Sequence, residues 1–277
     1  MNINWLESIL FGLVSGFAEF LPVSSNAHKT IFLFLFGVDS EHAFLSLFVH
    51  IGVLLGLVLS SRTLLKHLYR EMHLKKIPKR RRRRQPDLLA MADLSLIKTA
   101  AVPMLIGFVI YFFVSQWYGR LEWIALFLLL NGIVLHIPAH LPKGNKDSRS
   151  MSALDGTLIG FSAVMSMLPG VSRVGIISSV SLARGADMQQ AYKWSLLLSL
   201  PAIAAWIGLD FYSIITVGLT GVDFTFVVKC LLSGAAACFG ACAAMTSMKF
   251  LAVRTGFSNF SYYSWGAALF AFILYLT

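Results

Sequence analysis

The chain has 277 residues, of which 57% are hydrophobic and 13% are charged, and its formal net charge is +10. Its mean hydropathy is +0.74. Soluble domains carry about 25% charged residues, so this chain lacks the polar surface that a soluble globular protein requires. Composition therefore excludes a soluble enzyme and predicts an all-α integral membrane protein.

Apolar runs long enough to cross a bilayer, which takes roughly 20 residues, recur along the chain. The first run, 5–21, lacks a basic start and a small-residue cleavage site, so we expect no cleavable signal peptide. Inside hydrocarbon the backbone must satisfy its own hydrogen bonds, so the later runs are predicted to be helices. The clearest of them are 43–60, 96–114, 121–141, 194–217, 226–245 and 263–276.

The positive charge concentrates between the first two of these later runs. The segment 61–92 holds Lys75, Lys76 and an unbroken basic run from Lys79 to Arg84. Alone, such a run could indicate nucleic-acid binding. Between two membrane helices it is better explained as a cytoplasmic loop under the positive-inside rule, placed where it could touch anionic lipid headgroups. We therefore predict the membrane, and no nucleic acid, as its partner.

A polar connector, 143–150, divides the chain near its middle, and each side carries a break that contains Pro and Ser. The first break, 19–28, reads Glu-Phe-Leu-Pro-Val-Ser-Ser-Asn-Ala-His, and the second, 167–175, reads Met-Leu-Pro-Gly-Val-Ser-Arg-Val-Gly. Broken helices at matching positions point to a binding site between inverted repeats. We expect one domain over 1–277, with repeats at about 1–142 and 151–277 and with the two breaks facing each other.

The first break carries an acid, two hydroxyls and an imidazole. Glu19 lies in an apolar segment, where an acid usually faces a cavity, and its alternative role is a structural ion pair with Arg173. Ser24 and Ser25 lie near His28 if the segment is helical. A Ser activated by a His is a usable nucleophile, whereas Ser also commonly caps helices.

The second break suits an anion. Arg173 directly follows Ser172, where a helix can begin, and a guanidinium beside free backbone N–H groups binds phosphate oxygens. His50 is a lone imidazole on an apolar helix and is about as well explained by the core as by a site. Asp210 has no clear partner in the sequence.

These residues resemble a known family, the undecaprenyl-diphosphate phosphatases or bacitracin-resistance family. Residues 19–25 followed by His28 resemble its first signature, and 169–173, Pro-Gly-Val-Ser-Arg, resemble the start of its second. The segments 49–52 and 195–201 are similar to further family segments. The resemblance therefore spans essentially the whole chain.

The resemblance implies a fold of about six transmembrane helices plus two re-entrant helix-loop-helix segments. It implies removal of the terminal phosphate of undecaprenyl diphosphate, which regenerates the lipid carrier for peptidoglycan and other envelope polysaccharides. It further implies a multi-pass protein of the bacterial inner membrane that depends on a divalent cation, Mg or Ca. The expected partner is a polyprenyl phosphate or diphosphate lipid, and a homodimer is allowed.

Site roles follow from the resemblance residue by residue. Ser25 would be the nucleophile and His28 its general base or acid. Glu19 would bind the metal or manage protons. The residues that would cradle the diphosphate are Ser24, Ser172 and Arg173.

Four positions depart from the family pattern. Ser15 stands where the family has a second Glu or Gln one helical turn before Glu19, and one acid with a hydroxyl binds a cation more weakly than two acids. Val174 and Ile177 replace hydroxyl residues after Arg173, and Ser46 replaces an acid. The departures weaken the predicted cation site and leave the Arg-centred anion pocket.

Three functions remain open from the sequence. The first is a divergent lipid diphosphate phosphatase that uses Ser25, His28 and Arg173. The second is a carrier that moves a polyprenyl phosphate headgroup across the membrane on the same scaffold, without hydrolysis. The third is a membrane-embedded regulatory or scaffold protein that turns nothing over. The retained nucleophile, base and Arg favour the enzyme.

Overall fold

The computed structural model describes residues 3–38, 40–219, 221–254 and 257–277. Within these residues the secondary structure is helical, apart from one isolated bridge between Lys146 and Ala186. The α-helices in chain order are α1 (Trp5–Glu19), α2 (Ser25–Leu35), α3 (Ala43–Ser60), α4 (Arg62–Lys76), α5 (Leu88–Val114), α6 (Leu121–His136), α7 (Ala153–Met165), α8 (Arg173–Ala183), α9 (Met188–Val217), α10 (Phe224–Arg254) and α11 (Asn259–Leu276).

Five helical stretches of the described chain are long and apolar enough to cross a membrane. They are Ala43–Ser60, Leu88–Trp117, Leu121–His140, Met188–Val217 and Phe224–Met248. The remaining predicted span, 263–276, lies within α11, a helix of 18 residues. The chain is therefore an all-α multi-pass membrane protein, as its composition predicts.

Two pairs of shorter helices flank the two predicted breaks. The pairs are α1 with α2 and α7 with α8, and the second helix of each pair has 11 residues. At 1.5 Å per residue such a helix is about 17 Å long, which is less than the roughly 30 Å of a hydrocarbon core. The predicted re-entrant path of these pairs fits their lengths and stays a prediction.

Capping residues extend two helices beyond their apolar runs. Asp87 accepts a hydrogen bond from the Leu89 backbone N–H at 2.8 Å, so α5 begins eight residues before the predicted 96. Asp187 accepts from the Gln190 N–H at 2.8 Å, so α9 begins at Met188 rather than at 194. A carboxylate at the N-cap satisfies backbone donors that lack a helical partner. Polar turns thus lengthen these helices outside the apolar stretch.

The two halves of the chain interlock in space. Helix α10 of the second half packs against α1 and α3 of the first, and α5 of the first half packs against α7 and α9 of the second. Small residues allow the close approach, since a Cβ added at Gly16 would overlap the Ala237 backbone carbonyl. The two largest hydrophobic clusters therefore contain residues of both halves, and the predicted repeat boundaries stay a prediction.

The predicted basic loop, 61–92, contains α4 and folds back on a buried acid. Glu71 is buried and accepts hydrogen bonds from the Arg84 guanidinium and, at 2.8 Å, from the Asp87 backbone N–H. The bond from Arg84, followed by that from the Asp87 N–H, lowers the pKa of the Glu71 carboxyl to about 2. The loop is thus fixed at one point, while Lys79, Arg80 and Arg81 are exposed.

Candidate functional site

The two Pro- and Ser-containing breaks meet inside the protein. The Ser172 hydroxyl donates to the Leu21 carbonyl at 3.1 Å. Asn131 of α6 bridges the breaks, because its amide accepts from the Ser172 N–H at 2.9 Å and donates to the Pro22 carbonyl at 3.2 Å. Its NH₂ group also donates to the Ser264 hydroxyl at 2.9 Å. The expectation that the breaks face each other is confirmed.

Two helix N-termini converge where the breaks meet. Helix α2 begins at Ser25 and is capped by Ser24, whose φ of 67° lies in the left-handed region that few residues other than Gly adopt. Helix α8 begins at Arg173 and is capped by Ser172, whose hydroxyl accepts from the Gly175 N–H at 3.1 Å. Free amides and the positive ends of two helix dipoles favour an anion at this point.

Three predicted site residues are joined by direct bonds. The Ser25 hydroxyl donates to Oε2 of Glu19, and the Arg173 guanidinium forms a salt bridge with Oε1 of the same carboxylate. Arg173 is only 7% exposed, and its Nε has no hydrogen-bond partner among the described residues. The ion pair considered as the alternative role of Glu19 is therefore formed. It leaves one buried donor, Arg173 Nε, without a partner among the described residues and so open to a ligand.

The space beside these residues is small. A cavity of about 20 Å³ is lined by Glu19, Ser25, Ser172 and Arg173, together with His50 and their neighbours. This volume accommodates about one water molecule. A phosphate group is larger than a water molecule, so the cavity must widen for a phosphate to enter.

His28 lies apart from this cavity. Its Nδ1–H donates to the Ser24 carbonyl at 2.7 Å, and its Nε2 accepts from the Tyr263 hydroxyl at 2.6 Å. The ring stacks on Tyr263 at 5.7 Å between centroids. Both ring nitrogens are engaged, and neither bonds to Ser25. A general-base or general-acid role for His28 thus requires the ring to leave both partners, and it stays a prediction.

A second, larger cavity adjoins the small one. Its volume is about 960 Å³, and Asn26, His50 and Trp206 line both cavities. Inside it, Lys29 pairs with Glu41 at 3.0 Å, and hydroxyl and aromatic side chains complete the wall. A space of this size and mixed polarity suits a lipid headgroup with part of its chain. The small polar cavity therefore shares part of its lining with a much larger one.

Family comparison agrees with this geometry. The model of the bacitracin resistance protein BacA family matches residues 8–270. The chain belongs to this family. The undecaprenyl-diphosphatase of Alkaliphilus metalliredigens is 29% identical over 273 residues, which cover 94% of each chain. That of Prochlorococcus marinus is 31% identical over 74% of this chain and 75% of its own. That of Carboxydothermus hydrogenoformans is 30% identical over 95% and 94%.

The four residues that depart from the BacA family pattern fit their surroundings in the structure. The Ser15 hydroxyl donates to the Phe11 carbonyl at 2.6 Å within α1. Val174 and Ile177 are fully buried in apolar clusters and line neither cavity. Ser46 lines the larger cavity. The altered positions therefore remove polar groups from the surroundings of Arg173 without exposing apolar ones to the small cavity.

Few side chains are placed to bind the predicted divalent cation. The described residues contain no group of three or more His, Cys, Asp or Glu side chains arranged to hold a metal ion. Both oxygens of Glu19, the residue predicted to bind it, are taken by Ser25 and Arg173. Mg²⁺ and Ca²⁺ need several oxygen ligands. The residues present do not fit the cation in this arrangement.

Sequence analysis did not single out two residues of this BacA-family site, Asn131 and Tyr263, and it found no partner for a third, Asp210. Asn131 bonds to Pro22 across 109 positions, and Tyr263 to His28 across 235. Asp210 bonds to His50 across 160 positions. No local pattern reports contacts at such separations. The one available signal was a polar side chain inside an apolar run, which at membrane depth usually has a partner or a function.

Proposed function

We propose that this chain hydrolyses undecaprenyl diphosphate to undecaprenyl phosphate and inorganic phosphate, and so recycles the lipid carrier for envelope polysaccharide synthesis. The observation that carries the proposal is one carboxylate, Glu19, bound at once to a hydroxyl nucleophile, Ser25, and to a buried guanidinium, Arg173. The BacA family and relatives named undecaprenyl-diphosphatase support it. The proposed location is the bacterial inner membrane.

Binding begins with an exchange of partners at Arg173. The terminal phosphate of the substrate competes with Glu19 for the guanidinium, and the open Nε of Arg173 gives it a donor that Glu19 does not use. The N-terminal amides of α2 and α8, held in place by Ser24 and Ser172, supply the remaining donors. Substrate therefore releases the Glu19 carboxylate from its cation at the moment when a proton acceptor is needed.

The chemical step uses Ser25 and Glu19. The Ser25 hydroxyl attacks the terminal phosphorus, and its proton passes to Oε2 of Glu19, to which it is already bonded. The bond from phosphorus to the bridging oxygen breaks, and undecaprenyl phosphate leaves. Water then hydrolyses the phosphoserine. Arg173 and the two helix N-termini stabilise the charge that develops on the phosphoryl oxygens.

His28 has a positioning part in this proposal. Its bond to the Ser24 carbonyl, at 2.7 Å, holds the left-handed turn that aims Ser25 at the cavity. The alternative acid–base part of His28 stays a prediction. The proposal does not require a homodimer, since every residue named lies in one chain.

The test is phosphate release by the purified protein in detergent. Wild type is expected to release one phosphate per molecule of farnesyl or undecaprenyl diphosphate, and Ser25→Ala to lose roughly 10³-fold or more in rate, as expected for removal of a nucleophile. Ser95→Ala, on the exposed face of α5, is the matched control. Repeating the assay after chelation and with added Mg²⁺ or Ca²⁺ tests the cation prediction.

Two outcomes oppose the proposal. Wild type that releases no phosphate across several divalent ions refutes hydrolysis. Ser25→Ala that retains wild-type function in cells while Arg173→Ala loses it supports the carrier, which the names of the relatives do not favour.

A further inference from the structure

His50 and Asp210 form a buried pair that the proposed chemistry has not used. The His50 Nδ1–H on α3 donates to Oδ2 of Asp210 on α9 at 2.6 Å, and each residue is 8% exposed. A carboxylate accepts only, so the proton of the neutral imidazole lies on Nδ1. Nε2 then keeps its lone pair. This is the orientation in which a carboxylate prepares a histidine to accept a proton.

The pair lies where the two cavities join. His50 lines the small cavity together with Ser25, Glu19 and Arg173, and it also lines the larger one with Asp210. Trp206 stacks on the imidazole at 5.9 Å between centroids, which limits the orientations of the ring. The imidazole therefore lies in the wall shared by the cavity that contains Ser25 and the larger cavity.

The two histidines near Ser25 differ in what their nitrogens do. His28 uses both, one on the Ser24 carbonyl and one on the Tyr263 hydroxyl. His50 uses Nδ1, on Asp210 and at 3.4 Å from the Ser46 hydroxyl, and no described hydrogen bond involves its Nε2. His50 is thus the histidine that lines the small cavity and has a ring nitrogen, Nε2, without a described hydrogen bond.

We propose that His50, oriented by Asp210, is the general base of the second half-reaction. The inference rests on the proposed function. Water attacks the phosphoserine at Ser25, so that a new phosphorus–oxygen bond forms and the bond from phosphorus to Ser25 Oγ breaks. The departing Oγ recovers the proton that Glu19 took in the first half-reaction. The proton lost by the attacking water goes to His50 Nε2 and from there to the larger cavity, and hydrogen phosphate is released.

The proposal separates the two half-reactions, and this gives it a direct test. Farnesyl diphosphate labelled with ³²P on its terminal phosphate is mixed with purified His50→Gln, and both protein-bound label and released phosphate are followed. We expect the label to accumulate on Ser25 to about one per chain, while steady phosphate release falls by roughly 10²-fold or more, the typical contribution of a general base. Asp210→Asn is expected to trap label with a smaller loss of rate.

Three variants act as controls. His73→Ala, exposed on α4, is expected to match wild type. The double variant with Ser25→Ala is expected to carry no label, which places the label on that serine. His28→Gln is expected to trap none, so label trapped by that variant in place of His50→Gln overturns the assignment.

The remaining outcomes are decisive as well. His50→Gln that releases phosphate at the wild-type rate overturns the proposal, and so does a folded His50→Gln that neither labels nor hydrolyses, since that result indicates a structural residue. If His50→Gln does not fold, Asp210→Asn carries the test by the same two readouts. Wild type that neither labels nor releases phosphate refutes the proposed function instead.

Discussion

Replacement of Arg173 perturbs the site at its centre. The side chain is 7% exposed and bonded to Glu19, and its Nε has no partner among the described residues. Truncating one partner of a buried, hydrogen-bonded charge pair costs roughly 2–5 kcal/mol. At about 1.4 kcal/mol per factor of ten, we expect Arg173→Ala to lower kcat/KM by ~30- to 4000-fold. Arg173→Lys keeps the charge but loses the planar fork, and it should recover only part of this loss.

The same substitution affects stability through a different group. Arg173→Ala leaves the Glu19 carboxylate, whose side chain is 12% exposed, without its cation, which should destabilise the fold by about 3 kcal/mol. Adding Glu19→Gln removes the uncompensated charge. We therefore expect the double variant to regain much of the lost thermal stability and none of the lost activity.

The assay combines phosphate release from farnesyl diphosphate with thermal unfolding in the same detergent. Arg149→Ala is the control, because that guanidinium is 60% exposed and paired with Asp147 on the surface connector. A wild-type kcat/KM in Arg173→Ala would show that the guanidinium does not bind the substrate phosphate. If the double variant is no more stable than Arg173→Ala, the unpaired Glu19 carboxylate is not the cause of the lost stability.

Three further predictions concern the scaffold. Gly16→Ala should destabilise the fold by about 1–3 kcal/mol in thermal unfolding, because the new methyl overlaps the Ala237 carbonyl; unchanged stability contradicts the α1–α10 contact. Asn131→Leu leaves two buried backbone groups unpaired and should lower both stability and phosphate release; an active, stable variant contradicts the bridge between the breaks. The Glu71–Arg84 pair holds the Glu71 pKa at about 2, below its unfolded value of about 4.3, so it stabilises the fold above pH ~4.3 and loses this effect as pH falls towards 2. The difference in Tm between wild type and Glu71→Gln should narrow over that range, and a constant difference contradicts the pair.

Much of the fold follows from the sequence because the bilayer imposes one rule on it. An apolar run at membrane depth must satisfy its own backbone, so 43–60 could be assigned as a helix with its observed bounds. Where polar caps extend a helix, hydropathy alone ends too early, as at Asp87 and Asp187. Pro103 and Pro201 lie inside long helices, which local propensity disfavours and membrane packing tolerates.

The candidate site was predictable in its composition and less so in its contacts. Glu19 and Arg173 stand out because a charge in an apolar run needs a partner, and each is the partner of the other. The sequence carries no comparable signal for the direction in which an imidazole points. His28 lies one helical turn from Ser25, yet its ring bonds to Tyr263, and the His50 ring bonds to Asp210. These choices depend on α9 and α11, which the sequence places far from both histidines.

We propose that the terminal phosphate of the substrate binds between Ser25 and Arg173. A structure with a non-hydrolysable methylene analogue of farnesyl diphosphate tests it most directly. We expect the terminal phosphorus beside Ser25 Oγ, an oxygen of that group bonded to Arg173 Nε, and Glu19 separated from the guanidinium. A phosphate held instead at Lys29 in the larger cavity, with the Glu19–Arg173 pair intact, would contradict it.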